Sequence, residues 1–88
     1  MQTKYNIGDM VYVADVDELK IYVGTIYEIT IDDNRITYKV SYMYCEEKEC
    51  YSTFEEARTY LIRSINAQHQ EKLDKVLALK DKDADVAS

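Results

Sequence analysis

Thr53-Phe54-Glu55-Glu56-Ala57 divides the chain into two patterns. Upstream of it, apolar residues alternate with a period of two, the repeat of a half-buried strand. Downstream, they recur every three or four residues, the repeat of an amphipathic helix. The stretch itself reads as a helix start. Thr53 is placed to accept from the Glu56 backbone N–H, and the Glu56 carboxylate to reach back to the Thr53 N–H. The order is therefore a small β unit, a capped junction and a long helix.

Working upstream, Arg35 to Tyr44 reads as the cleanest strand. Ile36, Tyr38, Val40, Tyr42 and Tyr44 alternate with Arg35, Thr37, Lys39, Ser41 and Met43, one face apolar and one mostly polar. Asp33-Asn34 before it has the chemistry of a hairpin turn. Lys20 to Ile31 is a long, β-branched and aromatic strand, and Gly24 within it suggests a bulge or sharp bend. Ile7 to Val13 reads as a turn and first strand, with Val11 and Val13 on one face and Met10 and Tyr12 on the other. Cys45-Glu46-Glu47-Lys48-Glu49-Cys50 reads as an acidic hairpin tip, with Tyr51 on a short returning strand.

Working downstream, Ala57, Leu61 and Ile65 form a helical stripe that Tyr60 and Ile62 widen. A single helix from Phe54 to about Lys80 would be about 40 Å long, longer than a small barrel is wide. Its second half, with Leu73, Val76, Leu77 and Leu79, therefore folds back at a break near Asn66, packs on a partner or projects. The expected division is a β unit over 1–53, a helix over 54–80 and a polar, frayed tail over 81–88, all within one domain.

Composition narrows the function classes. The 88 residues are 47% hydrophobic and 32% charged, which is globular, with a formal net charge of −6. Residues 1–63 carry seven Lys/Arg against twelve Asp/Glu, and 64–88 carry four against five. An acidic β unit opposes general phosphate binding and favours a basic protein partner or mimicry of nucleic-acid charge. The chain opens without a signal-peptide pattern and has no long apolar run, so a cytoplasmic protein without a membrane span is expected.

No constellation points to catalysis. Cys45 and Cys50 could form a disulfide if a hairpin register paired them, although reduced thiols are expected in a cytosol. A zinc site needs four ligands, and His69 is the single histidine. No metal and no cofactor are therefore expected, and His69 has no evident partner as a base. Glu46, Glu47 and Glu49, with Asp32 and Asp33, place acid on hairpin tips, either as a contact for a basic partner or as a solvated guard of the sheet edge. The nine tyrosines divide. Tyr38, Tyr42 and Tyr44 belong to an apolar face and are expected in or beside the core. Tyr12, Tyr22 and Tyr27 tend outward if Val11, Val13, Val23 and Ile26 point in. Outward tyrosines can anchor a partner, stack on bases or pair across strands.

Three stretches, Ile7-Gly8-Asp9-Met10-Val11-Tyr12-Val13, Val23-Gly24-Thr25-Ile26 and Tyr51-Ser52-Thr53-Phe54-Glu55-Glu56-Ala57, resemble in order the small SH3-like barrel proteins of bacteriophages and prophages. The resemblance covers roughly residues 5–63. It departs at the Cys45–Cys50 segment and beyond Arg63. With it, the expected fold is mainly β with α: a Tudor/KOW-like bent antiparallel sheet of four or five strands, followed by the long C-terminal helix that the downstream periodicity gives. The resemblance also implies binding rather than catalysis in a bacterial host.

The expected function is a non-catalytic module that binds a protein, plausibly inhibiting a host or defence component by occlusion. Tyr12, Tyr22, Tyr27, Glu46, Glu47 and Glu49 are its candidate contacts. A nucleic-acid-binding barrel is the alternative, disfavoured by charge. A third reading is assembly through the C-terminal helix, with Leu73, Val76, Leu77 and Leu79 as helix contacts and Ile62, Ile65, Val76 and Leu79 as a homodimer seam that His69 and Lys72 interrupt.

Overall fold

A computed structural model describes residues 3–65 and 69–86. Its strands are β1 (Met10–Asp15), β2 (Lys20–Asp32), β3 (Arg35–Val40), β4 (Met43–Glu46), β5 (Cys50–Tyr51) and β6 (Asp85–Val86). Its helices are α1 (Phe54–Ser64) and α2 (Gln70–Leu77). The sheet order is β4-β3-β2-β1-β5, antiparallel throughout, with β6 added parallel to β2. The fold is thus a small mixed α/β unit built on a bent antiparallel sheet.

Short side chains make the turns in a chain that has no proline. Gly8, at φ 98°, lets its N–H reach the Ile26 carbonyl at 2.7 Å, while Ile26 N donates to Asp9 O at 2.9 Å. That pair fixes the entry to β1 against the middle of β2. Asp15 Oδ1 accepts from the N–H groups of Asp17 and Glu18 at 3.0 and 3.1 Å, tightening the β1–β2 turn. Asp33 and Asn34 both take left-handed backbone, the conformation a two-residue hairpin needs.

β2 serves both halves of the sheet. Lys20 to Thr25 pair with β1, and the strand's C-terminal half pairs with β3. The bend lies at Tyr27, where the register steps from Ile26↔Val40 to Glu28↔Lys39. The bulge expected at Gly24 is therefore not there: Gly24 pairs regularly with Val11.

The Arg35–Tyr44 strand is also corrected. Ser41 adopts φ 58°, and the chain reverses so that Val40 pairs with Met43 and Tyr38 with Cys45. The inward set then becomes Tyr38, Val40 and Cys45, while Tyr42 and Tyr44 are each 65% exposed. The Cys45–Cys50 segment is likewise not a hairpin tip. Glu47–Glu49 forms a single 3-10 turn that carries the chain from β4 to the far edge, where β5 pairs with β1.

Two cores result. Tyr5, Val11, Val13, Ile26, Tyr38, Val40, Cys45 and Cys50 fill the space enclosed by the bent sheet. Ala14, Leu19, Ile21, Phe54, Ala57, Leu61 and Val76 fill the space between the other face of β1 and β2 and the helices. β1 is buried on both sides, which is why Val13 and Ala14 are consecutive buried residues.

Thr53 caps α1 as its sequence implies: its Oγ1 accepts from Glu56 N at 3.2 Å. The return arm differs. The Glu56 carboxylate accepts from the Ser52 and Thr53 hydroxyls, at 3.1 and 3.0 Å, and not from the Thr53 N–H.

The expected continuous helix to Lys80 is two helices. Ile65 takes extended backbone, φ −89° and ψ 129°, and ends α1. Asn66, where one of the three alternatives put a break, lies outside the described residues. α2 returns against α1, with Val76 fully buried and Leu79 half-buried in the second core. Arg58 Nη1 donates to Leu79 O at 3.3 Å and holds the exit of α2 to α1. Burying Val76 explains the return: removing a side chain of this kind from water contributes about 1.5–3 kcal/mol. Val76→Ala is expected to lower the unfolding free energy by about 1–3 kcal/mol, read from urea denaturation. An unchanged midpoint would mean that α2 does not dock.

Candidate functional site

The tyrosines sort differently from the expectation. Tyr12 is half-buried, its ring edge-on to Phe54 with centroids 6.2 Å apart. The return of α1 across the outer face of β1 is what covers it. Tyr22 is also half-buried, packs at the rim of the first core and donates to Glu18 Oε2 at 3.1 Å. Only Tyr27 of the three points outward, at 49% exposed. Tyr42 and Tyr44 join it, because the Ser41 turn places them outside.

Two of these rings, Tyr27 and Tyr44, flank Lys39. Its ammonium lies 5.4 Å from the Tyr27 centroid and 4.9 Å from that of Tyr44. The Tyr44 and Tyr27 hydroxyls beside it hold Lys39 protonated, with its pKa raised. Tyr27 also donates to the Ser41 carbonyl, tying β2 to the turn. With Ser41 and Tyr42, these residues line an open concavity of about 610 Å³. Among the described residues, Lys39 has no carboxylate within ion-pair distance, unlike Lys20 and Lys48. The face is therefore aromatic with one central cation. Lys39 already fills the space between two rings, so a second cation is disfavoured there and an anion or a flat apolar group suits it.

The acidic candidates serve the fold first. Glu47 Oε2 accepts from the Tyr38 hydroxyl, and from Lys4 N at 3.1 Å. Tyr38, fully buried, accepts in turn from Tyr5 N at 3.2 Å, and Tyr5 donates to Cys50 O at 2.9 Å. Glu49 Oε1 accepts from Glu46 N at 2.9 Å, closing the 3-10 turn, and Glu46 pairs with Lys48 at 3.4 Å.

The helix candidates also face inward. Val76 is buried, Leu73 and Leu79 are half-buried, and only Leu77 is largely exposed. Ile62, Ile65, Val76 and Leu79 belong to the second core, so they are not free as a dimer seam. His69 is exposed at the N-cap of α2, with no side-chain capping bond.

Cys45 and Cys50 are free and buried in the first core, paired with Tyr38 and Val13 rather than with each other. The adjacent Cys45 thiol and burial push the Cys50 thiol well up. Among the described residues no cluster of His, Cys, Asp or Glu could hold a metal. No helix among them is long and apolar enough to cross a membrane. No family model matches the chain, and no curated protein and no solved structure matches it.

Sequence reasoning missed Tyr42, Tyr44 and Lys39. The signal was a change of phase: Ile36, Tyr38 and Val40 occupy even positions, whereas Met43 and Cys45 occupy odd ones. A two-residue reversal at Ser41-Tyr42 produces that shift.

Two measurements check this site. The bond from Tyr38 and that from the Lys4 N–H lower the Glu47 pKa below its ordinary 4.5. Its stabilisation is therefore complete above about pH 5 and lost as pH falls through the depressed value. Burial and the Glu47 bond raise the Tyr38 hydroxyl from 10.0 to about 12. Its contribution is complete below pH 10 and lost as pH rises through about 12. Tyr38→Phe is expected to lower stability by about 1–3 kcal/mol at pH 7, and the difference from wild type should shrink below about pH 4. A difference independent of pH would rule out a bond to charged Glu47. The second measurement is thiol titration. Both thiols are buried and out of a reagent's reach, so an exposed-thiol reagent should label neither cysteine until denaturant is added. Rapid labelling of the folded chain would contradict the burial.

Proposed function

We propose that this protein is a non-catalytic module that binds another protein through the Tyr27–Lys39–Tyr42–Tyr44 face. The observation that carries the reading is the grouping of three exposed tyrosines on one face, two of them flanking a cation that has no carboxylate partner among the described residues. Tyrosine supplies large contact area at small entropic cost, and its hydroxyl tolerates water before binding. Lys39 is already held between rings, so less side-chain freedom is lost when a partner arrives.

The finer architectural reading is an SH3-like barrel. It is supported by the order β4-β3-β2-β1-β5 and by the 3-10 turn leading into the last barrel strand. The resemblance of residues 5–63 to phage barrel proteins supports a host enzyme or defence protein as the partner, inhibited by occlusion. With Glu47 and Glu49 engaged inside the fold, steering falls to the negative field of the unit as a whole, and this favours a partner with a basic surface around its contact.

A nucleic-acid reading has one observation in its favour: rings flanking a cation also suit stacked bases. The negative charge of the unit opposes it.

The test is affinity capture from a bacterial lysate with wild type and with the Tyr27→Ala, Tyr42→Ala, Tyr44→Ala triple variant. Wild type should retain a partner whose recovery falls roughly ten-fold or more with the triple variant, since each anchoring aromatic is worth about 1–2 kcal/mol or more. Equal recovery by both chains would remove this face from the interaction. A salt-dependent shift of labelled DNA or RNA, lost in the triple variant, would replace the protein partner with a nucleic acid.

A further inference from the structure

β2 has a second feature that the tyrosine face does not use. Over Lys20 to Thr25 it pairs with β1 along one edge. Among the described residues, the opposite edge of the same stretch is covered by β6, parallel, with Tyr22 opposite Asp85 and Val23 opposite Val86. An edge left open there would offer unpaired N–H and C=O groups to any extended chain.

The covering strand is held unevenly. Upstream it is fastened to the fold: Leu79 and Ala84 are half-buried on the second core, and Arg58 Nη1 donates to Leu79 O at 3.3 Å. At β6 itself two ladder positions hold it among the described residues. Lys20 Nζ lies 3.9 Å from Asp85 Oδ2, the limit of an ion pair, and from Glu18 Oε2 at the same distance. Val86 is 75% exposed. Such an end opens locally at low free energy while the core stays folded.

We propose that Asp85–Val86 is a tethered placeholder, and that the β2 edge from Lys20 to Val23 receives an extended segment of the partner protein by parallel strand addition. The placeholder defines the chemistry of that segment: a carboxylate opposite Tyr22 and within reach of Lys20, then a β-branched residue opposite Val23. Main-chain bonds supply the affinity, and Lys20 selects the acidic position. This rests on reading the protein as a protein-binding module, and adds how part of the partner is gripped. The tether sets a high local concentration of competitor, so the edge is available only in the open fraction of molecules.

The test uses the full chain and a labelled synthetic peptide with the sequence of residues 80–86. In an Asp85→Pro, Val86→Pro variant the placeholder can no longer donate to the ladder. This variant is expected to bind the peptide roughly ten-fold or more tightly than wild type does, in proportion to the released edge. Amide shifts should centre on Lys20 to Val23, and adding Lys20→Glu should abolish the gain. Equal binding by variant and wild type, or no binding by either, overturns the proposal. A second measurement needs no variant. In wild type the Asp85 and Val86 amides should exchange with solvent roughly a hundred-fold or more faster than the amides of Val11 and Val13. Exchange at the rate of those core amides would overturn the proposal. Either failure leaves the tyrosine face standing, because its test reads Tyr27, Tyr42 and Tyr44.

Discussion

A single buried hydroxyl holds the sheet closed. Tyr38 lies at the centre of the first core with no exposed surface. Its oxygen must find partners there, because an unsatisfied buried hydroxyl costs about 1–3 kcal/mol. It donates to Glu47 on the 3-10 turn and accepts from the Tyr5 N–H. Tyr5 then donates to the carbonyl of Cys50, at the start of β5. Three segments distant in sequence are thereby tied to one point: the N-terminal arm, β3 and the crossing from β4 to β5. Once β5 is placed on β1, Thr53 follows at a fixed position and α1 can only run across the outer face of β1. The second core, and the return of α2 onto it, depend on that placement.

The same closure decides which groups remain exposed. Glu47 and Glu49, which look like a solvated acidic tip in the sequence, are used within the fold. The rings that look like core, Tyr42 and Tyr44, are left outside. Residues that stabilise and residues available for contact have exchanged roles relative to their chemistry. The exposed face therefore carries aromatic area and one cation on a unit whose overall charge is negative.

Much of the frame was legible in the residues. The Val11/Val13 alternation, the Asp33-Asn34 turn, the Thr53 cap and the Ala57–Leu61 stripe each match the structure, because each depends on local geometry and short-range hydrogen bonds. The exposed aromatic face was not legible, and the cause is the ambiguity of tyrosine. Counted as apolar, Tyr42 and Tyr44 extend the pattern of Arg35–Val40 through a turn that has no Gly, Asn or Asp at Ser41-Tyr42. The bulge was sought at Gly24, the residue that bends most freely, but it lies at Tyr27, where pairing passes from β1 to β3. The end of α1 has no Gly or Pro to announce it. Ile65 leaves the helix without one, and tertiary burial of Val76 rewards the return.

Tyr42 and Tyr44 contribute little to holding the fold, and their area stays exposed. Urea unfolding of a Tyr42→Ser, Tyr44→Ser variant tests this most directly. The account predicts an unfolding free energy within about 1 kcal/mol of wild type, the scale of an exposed cation–π contact. A loss of about 3 kcal/mol or more, as for truncation in a core, would show that these rings are structural and would contradict the account.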